Sequence, residues 1–234
     1  MKPAIVIPAY NHGPRLAAVI AQAGKLGLPI FVVDDGSTDD TPQILTEIPK
    51  IEVISHRSNR GKGAALLSGF KAARAAGCDQ AITIDADGQH DPADAEKLLA
   101  AAARRRPCLV VGKRLGMQAR KNVPWTSRFG RYFSNFWVWA AGGPLIADSQ
   151  SGFRLYPLPE TPELGVRARR YQFEVEVLVR AKRRGIEIRE VPITVVYQQG
   201  TERVSHFRPW RDFWRNSATF SRLILTRIFG IGRQ

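Results

Sequence analysis

Two carboxylates and an amide close the segment Ile82-Thr83-Ile84-Asp85-Ala86-Asp87-Gly88-Gln89-His90, directly after a short apolar run. Hard oxygen donors of this kind suit Mg2+ or Mn2+, ions that keep several waters and bridge one or two carboxylates to substrate phosphates. Asp87 and Gln89 are the metal-ligand candidates, with Asp85 beside them. The competing reading is an ordinary solvated turn, because Asp and Gly are common turn formers.

A second acidic run, Val33-Asp34-Asp35-Gly36-Ser37-Thr38-Asp39, also follows an apolar stretch and leads into a helical pattern. Ser37 to Asp39 could be no more than a capped turn, since Thr38 and Asp39 are suited to accept from the free N–H groups of a helix start. In Asn59-Arg60-Gly61-Lys62-Gly63, glycine N–H groups and the Lys62 ammonium could cradle a phosphate. The spacing matches neither a Walker A loop nor a dinucleotide fingerprint, and a plain glycine turn competes. The four histidines (His12, His56, His90, His206) have no zinc-ligand spacing, and no nucleophile elbow surrounds a serine.

Strand ends that carry chemistry need an open sheet behind them. Ala4–Ile7, Ile30–Val33, Val53–Ser55, Ala81–Ile84 and Leu109–Val111 read as strands, alternating with helical patterns at Arg15–Lys25, Thr41–Glu47, Ala64–Ala76 and Ala93–Arg104. Asp91-Pro92 places a capping carboxylate beside a first-turn proline. This alternation is the signature of an α/β fold with a mostly parallel sheet. The second half predicts an aromatic helix over Ser127–Ala140, a helix over Phe173–Arg184 and an edge strand over Glu187–Val196 around Pro192.

The chain has 234 residues, 44% of them hydrophobic, enough for a real core. Its 35 Lys and Arg against 21 Asp and Glu leave a charge of +14, which favours phosphates, anionic lipid or nucleic acid. Cys78 and Cys108 form no CxxC pair, so neither a disulfide framework nor a cysteine zinc site is expected, and a reducing cytoplasm fits. The N-terminal apolar run is too short for a signal peptide, and Phe133–Ala147, broken by Gly142-Gly143-Pro144, falls short of the roughly 20 residues that span a bilayer. From Arg203 onward seven arginines face one acid, Asp212. Drawn as a helix, this tail gathers Phe213, Phe220, Ile224, Ile228 and Ile231 opposite Arg215 and Arg222. Such a helix either packs on the parent domain or lies on an anionic bilayer.

Five ordered segments carry a family resemblance: Ile7-Pro8-Ala9-Tyr10-Asn11, Val33 to Asp39, Asn59 to Gly63, Asp85 to His90, and Asp148-Ser149-Gln150-Ser151-Gly152-Phe153-Arg154. From about residue 4 to residue 197 the chain resembles glycosyltransferase family 2, in the branch of dolichyl- and polyprenyl-phosphate mannosyl- and glucosyltransferases. The resemblance implies a GT-A fold, a Rossmann-like, mostly parallel sheet flanked by helices over residues 1–202, with 203–234 as a basic amphipathic extension. It implies inverting transfer from a nucleotide-diphosphate sugar, with Mg2+ or Mn2+ as cofactor, at a cytoplasmic location on the inner face of the membrane if the acceptor is lipid. Pro8, Tyr10, Asn11 and Asp35 are then nucleotide contacts, and Asp85, Asp87 and Gln89 the metal and diphosphate site, with Lys62 at the phosphates. Arg114 and Arg128 match acceptor-phosphate arginines, Arg131 being the alternative to Arg128 in a shifted alignment. Arg154 and the stretch Gln199–Ser205, with Arg203, match loops that close over donor and acceptor. Where many relatives carry glutamate after Tyr10-Asn11, this chain has His12.

A lipid-phosphate acceptor would need no protein base, whereas a hydroxyl acceptor would need one, for which Asp148 is the candidate; bracing the following turn is its alternative role. Two rival functions stand beside this one. Asp85-Ala86-Asp87-Gly88 is also similar to the nucleophile motif of haloacid-dehalogenase-like phosphatases, with Asp85 as nucleophile, although that motif normally sits on the first strand. A nonenzymatic binder of anionic surfaces or nucleic acid would also explain the charge, but no nucleic-acid module appears, so no nucleic-acid partner is expected.

Overall fold

Unbroken apolar runs such as Ile5-Val6-Ile7 and Ile30-Phe31-Val32-Val33 present no polar face, so strands built from them must be covered on both sides. The computed structural model describes residues 1–103, 107–114, 125–195 and 209–229, with backbone only at 14, 125–129 and 209–216. Its strands are β1 (Pro3–Ala9), β2 (Ile30–Asp34), β3 (Glu52–Ser55), β4 (Gln80–Thr83), β5 (Cys108–Arg114), β6 (Arg154–Pro157) and β7 (Glu187–Ile193). They form one sheet in the order β3-β2-β1-β4-β6-β5-β7. Neighbours run parallel except β6, which is antiparallel to both β4 and β5.

The helices are α1 (Gly13–Gly24), α2 (Thr41–Glu47), α3 (Lys62–Ala75), α4 (Ala95–Ala102), α5 (Trp125–Ala140), α6 (Glu160–Glu163), α7 (Phe173–Arg183) and α8 (Pro209–Ile228). Alternation along β1 divides the core in two. Ile5 and Ile7 meet Leu16, Val19 and Ile20 of α1 and Leu98 of α4, while Ala4 and Val6 share the other face with Leu66 and Phe70 of α3, Val138 of α5 and Leu178 of α7.

The expected elements agree with those observed to within a few residues, with instructive exceptions. The helix expected from Ala93 begins at Ala95, after a single 3-10 turn over Pro92–Asp94 that Asp91 caps by accepting the Ala93 N–H at 3.0 Å. The expected edge strand stops at Ile193, where Thr194 turns its N–H onto Asp94 Oδ2, and Val195 then pairs singly with His90. β7 is terminal in the sheet, the place where Pro192 costs no ladder bond to a further strand. β6 is not among the expected strands, and of its residues only Arg154 is matched to a closing loop.

The described part of the tail packs on the domain. Phe220 and Leu223 of α8 are buried in the core, Phe220 stacks on Trp137 of α5 (centroids 6.3 Å apart), and Arg222 pairs with the buried Glu176 of α7 at 2.7 Å. Phe213 and Arg215 lie where only backbone is described, and Ile231 lies outside the described residues. Among the described residues no helix is long and apolar enough to cross a membrane.

Candidate active site

The chain runs outward from β1 through β2 to β3 and then returns to β4 on β1's other side, so the strand order reverses between β1 and β4. In open α/β sheets a crevice opens at such a reversal, beyond the carboxyl ends of the strands. Tyr10 and Asn11 follow β1, Asp35 follows β2, and Asp85 to Gln89 follow β4. Because β6 is antiparallel, it is the segment before it, Asp148 to Phe153, that arrives at this same edge, together with Arg114 at the end of β5.

On the β1–β2 side, Pro8 lies in β1 opposite Val33, and Tyr10 is half-buried at the strand's exit. Asn11 adopts a left-handed backbone (φ 54°) and exchanges bonds with the Ser37–Thr38 turn: Thr38 N–H donates to its Oδ1 at 2.8 Å, and its own N–H donates to Ser37 Oγ at 3.0 Å. His12 turns back onto Tyr10, its Nδ1 donating to the Tyr10 carbonyl at 2.8 Å, and its N–H donates to Thr41 Oγ1. Asp35, expected as a nucleotide contact, is placed against the glycine loop. It is buried, with its carboxylate taken by His56 (2.6 Å) and by the N–H groups of Arg60 and Gly61 (2.9 and 2.7 Å). Its work is to hold the glycine loop against β2.

Beyond β4, Asp87 Oδ1 accepts the Gln89 N–H at 3.0 Å, and Gly88 supplies the left-handed residue (φ 71°) that this turn requires. The turn leaves the second Asp87 oxygen and the Gln89 amide oxygen as hard donors on half-buried side chains. No cluster of three His, Cys, Asp or Glu able to cage a cation occurs among the described residues. Two oxygen donors at an open strand tip fit Mg2+ or Mn2+ held jointly with a diphosphate, the usual arrangement for these ions.

Asp85 has a different situation. Burial pushes its carboxyl up, but the Lys62 ammonium at 2.6 Å and nearby His90 outweigh that, and it is held below the usual carboxylate range. Lys62, expected at a phosphate, reaches between Asp85 and Glu174 of α7, 2.6 Å from each; burial alone would lower its pKa, yet the two carboxylates raise it. His90 is buried, stacks on Phe153 (5.4 Å), and has no hydrogen-bond partner for Nδ1. Burial lowers its pKa, and outweighs Asp85 and Asp87 nearby, which act to raise it.

The β5–β6 side of this edge is built on Asp148. Arg114 donates to it from Nε (2.7 Å) and Nη2 (2.8 Å), a forked pair that occupies both carboxylate oxygens. Burial pushes the Asp148 carboxyl up, but the Arg114 pairing prevails and holds it below the usual range. Glu190 of β7 accepts the N–H groups of Ala147 and Asp148 at 3.0 Å, and Asn135 of α5 bonds Ala147 and Ser149. Arg131, one residue of α5 beyond Gly130, is buried close enough to Asp148 to help depress its pKa. Arg128 lies in the first turns of α5 where only backbone is described, and Arg203 lies outside the described residues.

Arg154 is placed differently from the expectation that it closes over substrate. It is fully buried, and its Nε, Nη1 and Nη2 donate to the carbonyls of Ser151, Glu174 and Ser149, each at 2.7 Å. With all three nitrogens spent on backbone, it braces the turn before β6. Glu174 and Glu190, which sequence reasoning missed, emerge as partners of Lys62 and of the Asp148 backbone.

Comparison with known proteins bears on this geometry. Residues 4–158 match glycosyl transferase family 2. The UDP-N-acetylglucosamine–dolichyl-phosphate N-acetylglucosaminyltransferase of Methanococcus voltae is 34% identical over 215 residues, 83% of this chain and 86% of that protein. The undecaprenyl-phosphate mannosyltransferase of Micrococcus luteus is 30% identical over 217 residues, 85% of each. In fold, the chain is similar to glucosyl-3-phosphoglycerate synthase from Mycobacterium tuberculosis, solved with Mg2+ and UDP, at a TM-score of 0.65 and 21% identity over 97% of this chain and 79% of that one.

Proposed function

The chain belongs to glycosyl transferase family 2, and from that premise we propose that it transfers a sugar, with inversion, from a nucleotide-diphosphate donor to a polyprenyl-type lipid phosphate. The acceptor class rests on the Arg114–Asp148 pair. A hydroxyl acceptor needs a carboxylate that reaches it and can collect its proton near working pH. Asp148 is ill-suited on both counts, being fully buried with both oxygens on Arg114 and its pKa depressed. A lipid phosphate brings an anionic oxygen of its own and asks only for cations to position it. In this reading Asp148 fixes the plane of Arg114, and Arg114, with Arg128 or Arg131 of α5, holds the acceptor phosphate. The lipid-phosphate names of the Methanococcus and Micrococcus relatives agree.

Pro8, Tyr10 and Asn11 line the donor crevice. Asp87 and Gln89 would hold Mg2+ or Mn2+, which when bound supplies positive charge for the departing nucleoside diphosphate. Alignment of donor and acceptor in the crevice then supplies much of the rate. Contact with a bilayer falls to α5, whose Tyr132, Phe136 and Trp139 project outward while its other side adjoins the Asp148 loop.

The test is a transfer assay with a donor chosen by thermal-shift screening of UDP-, GDP- and dTDP-sugars with Mn2+. Transfer to a short polyprenyl phosphate, none to the matching polyprenol, and loss of transfer with EDTA or in Asp87→Ala are expected. Efficient glycosylation of the polyprenol would overturn the acceptor assignment, and undiminished transfer under EDTA would end the metal assignment.

A further inference from the structure

Lys62 is held by two carboxylates from distant parts of the chain. Its Nζ lies 2.6 Å from Asp85 Oδ1, at the tip of β4, and 2.6 Å from Glu174 Oε1, in the first turn of α7. An ammonium on a four-carbon stem is a poor fixed point when it has one partner, because the stem rotates. A second carboxylate on another element removes that freedom. Glu174 is itself pinned, since the fully buried Arg154 donates to its backbone carbonyl at 2.7 Å. The turn before β6 packs directly against the pair: a Cβ on Gly152 would sit 2.4 Å from Asp85 Oδ2 and 2.7 Å from Lys62 Nζ.

We infer that Glu174 is a positioning residue for the metal and diphosphate site: through Lys62 it fixes the Asp85 carboxylate and with it the Asp85-Ala86-Asp87 turn that presents Asp87 and Gln89. This rests on the functional reading above and extends it to a residue outside every motif of the strand tips. It also reverses the role expected of Lys62. If Lys62 contacted the diphosphate directly, Glu174 would compete for it, and neutralising Glu174 would tighten diphosphate binding. In the positioning role, neutralising Glu174 loosens the site.

The two roles predict opposite signs in one measurement, Mn2+ binding followed by electron paramagnetic resonance with the nucleoside diphosphate selected in the thermal-shift screen. Glu174→Gln, which keeps the shape of the side chain, is expected to weaken Mn2+ binding about 10-fold or more, the usual effect of losing a group that orients metal ligands. Lys62→Met is expected to weaken it at least as much, and the double variant no further than Lys62→Met, because Glu174 acts through Lys62. Tighter or unchanged binding in Glu174→Gln, or losses that add in the double variant, would overturn the inference. Absence of any Mn2+ and nucleotide binding by the unaltered protein would instead overturn the functional reading on which it rests.

Discussion

At the residue scale, the main lesson is how many acidic side chains at the strand tips are occupied by partners. Asp35 and Asp148 have both carboxylate oxygens taken by N–H groups or a cation, whereas Asp85 gives one oxygen to Lys62 and Asp87 gives one to the Gln89 N–H. Asp148 gives a prediction with a definite sign. A carboxyl whose folded pKa is depressed stabilises the protein above its unfolded value of about 3.9, and that contribution disappears as pH falls through the folded value. The protein should therefore lose melting temperature steeply below about pH 4, and Asp148→Asn should show a shallower fall there. At neutral pH the variant should be less stable by about 3–5 kcal/mol, the cost of leaving the Arg114 charge without its partner. Denaturant titrations at pH 7 and pH 3.5 check both; equal acid slopes would refute the Asp148 contribution. Motif reading found these acids, and Lys62 and Arg114 as well, but neither their pairing nor the further partners Glu174 and Glu190. Glu174 lies 112 residues from Lys62, and Glu190 lies 42 from Asp148, so no local spacing links them. Arg154 sits in a motif segment whose residue types do not reveal that its guanidinium turns inward.

At the scale of elements, periodicity located the strands and helices of the parallel half because each carries an apolar run between clear turn signals. β6 escaped because four residues opening with Arg154 show no alternation, and its burial comes from strands on both sides. The tail helix was readable as amphipathic, but which surface its apolar side met was not. The structure answers for α8: Phe220 is 2% exposed and Leu225 52%. Phe220→Ala should therefore cost about 3–5 kcal/mol of stability, against under about 0.5 kcal/mol for Leu225→Ala. Urea denaturation of the two variants measures this, and equal costs would contradict the docked position of α8.

At the scale of the whole molecule, the net charge of +14 and the exposed aromatic row on α5 carry the proposed bilayer contact to a test. Tyr and Trp favour the headgroup level of a bilayer, where nearby Lys and Arg each add about 1 kcal/mol on an anionic surface. The protein is expected to float with vesicles containing phosphatidylglycerol and to detach in high salt. Replacing Tyr132, Phe136 and Trp139 together by serine should weaken that binding by about tenfold or more while leaving transfer to a short, water-soluble polyprenyl phosphate intact. Unchanged flotation would move the contact elsewhere. The antiparallel β6 has a consequence of another kind. During synthesis, β4 is complete some 70 residues before the segment that will cover its open side, Thr83 reaching Gly152 across 69 positions. Until then two bare strand borders, those of β4 and β5, wait for the same insert. Residues 1–103 expressed by themselves would leave the β4 border bare and free to pair with other copies, so the first four strands depend on a segment made much later in the chain.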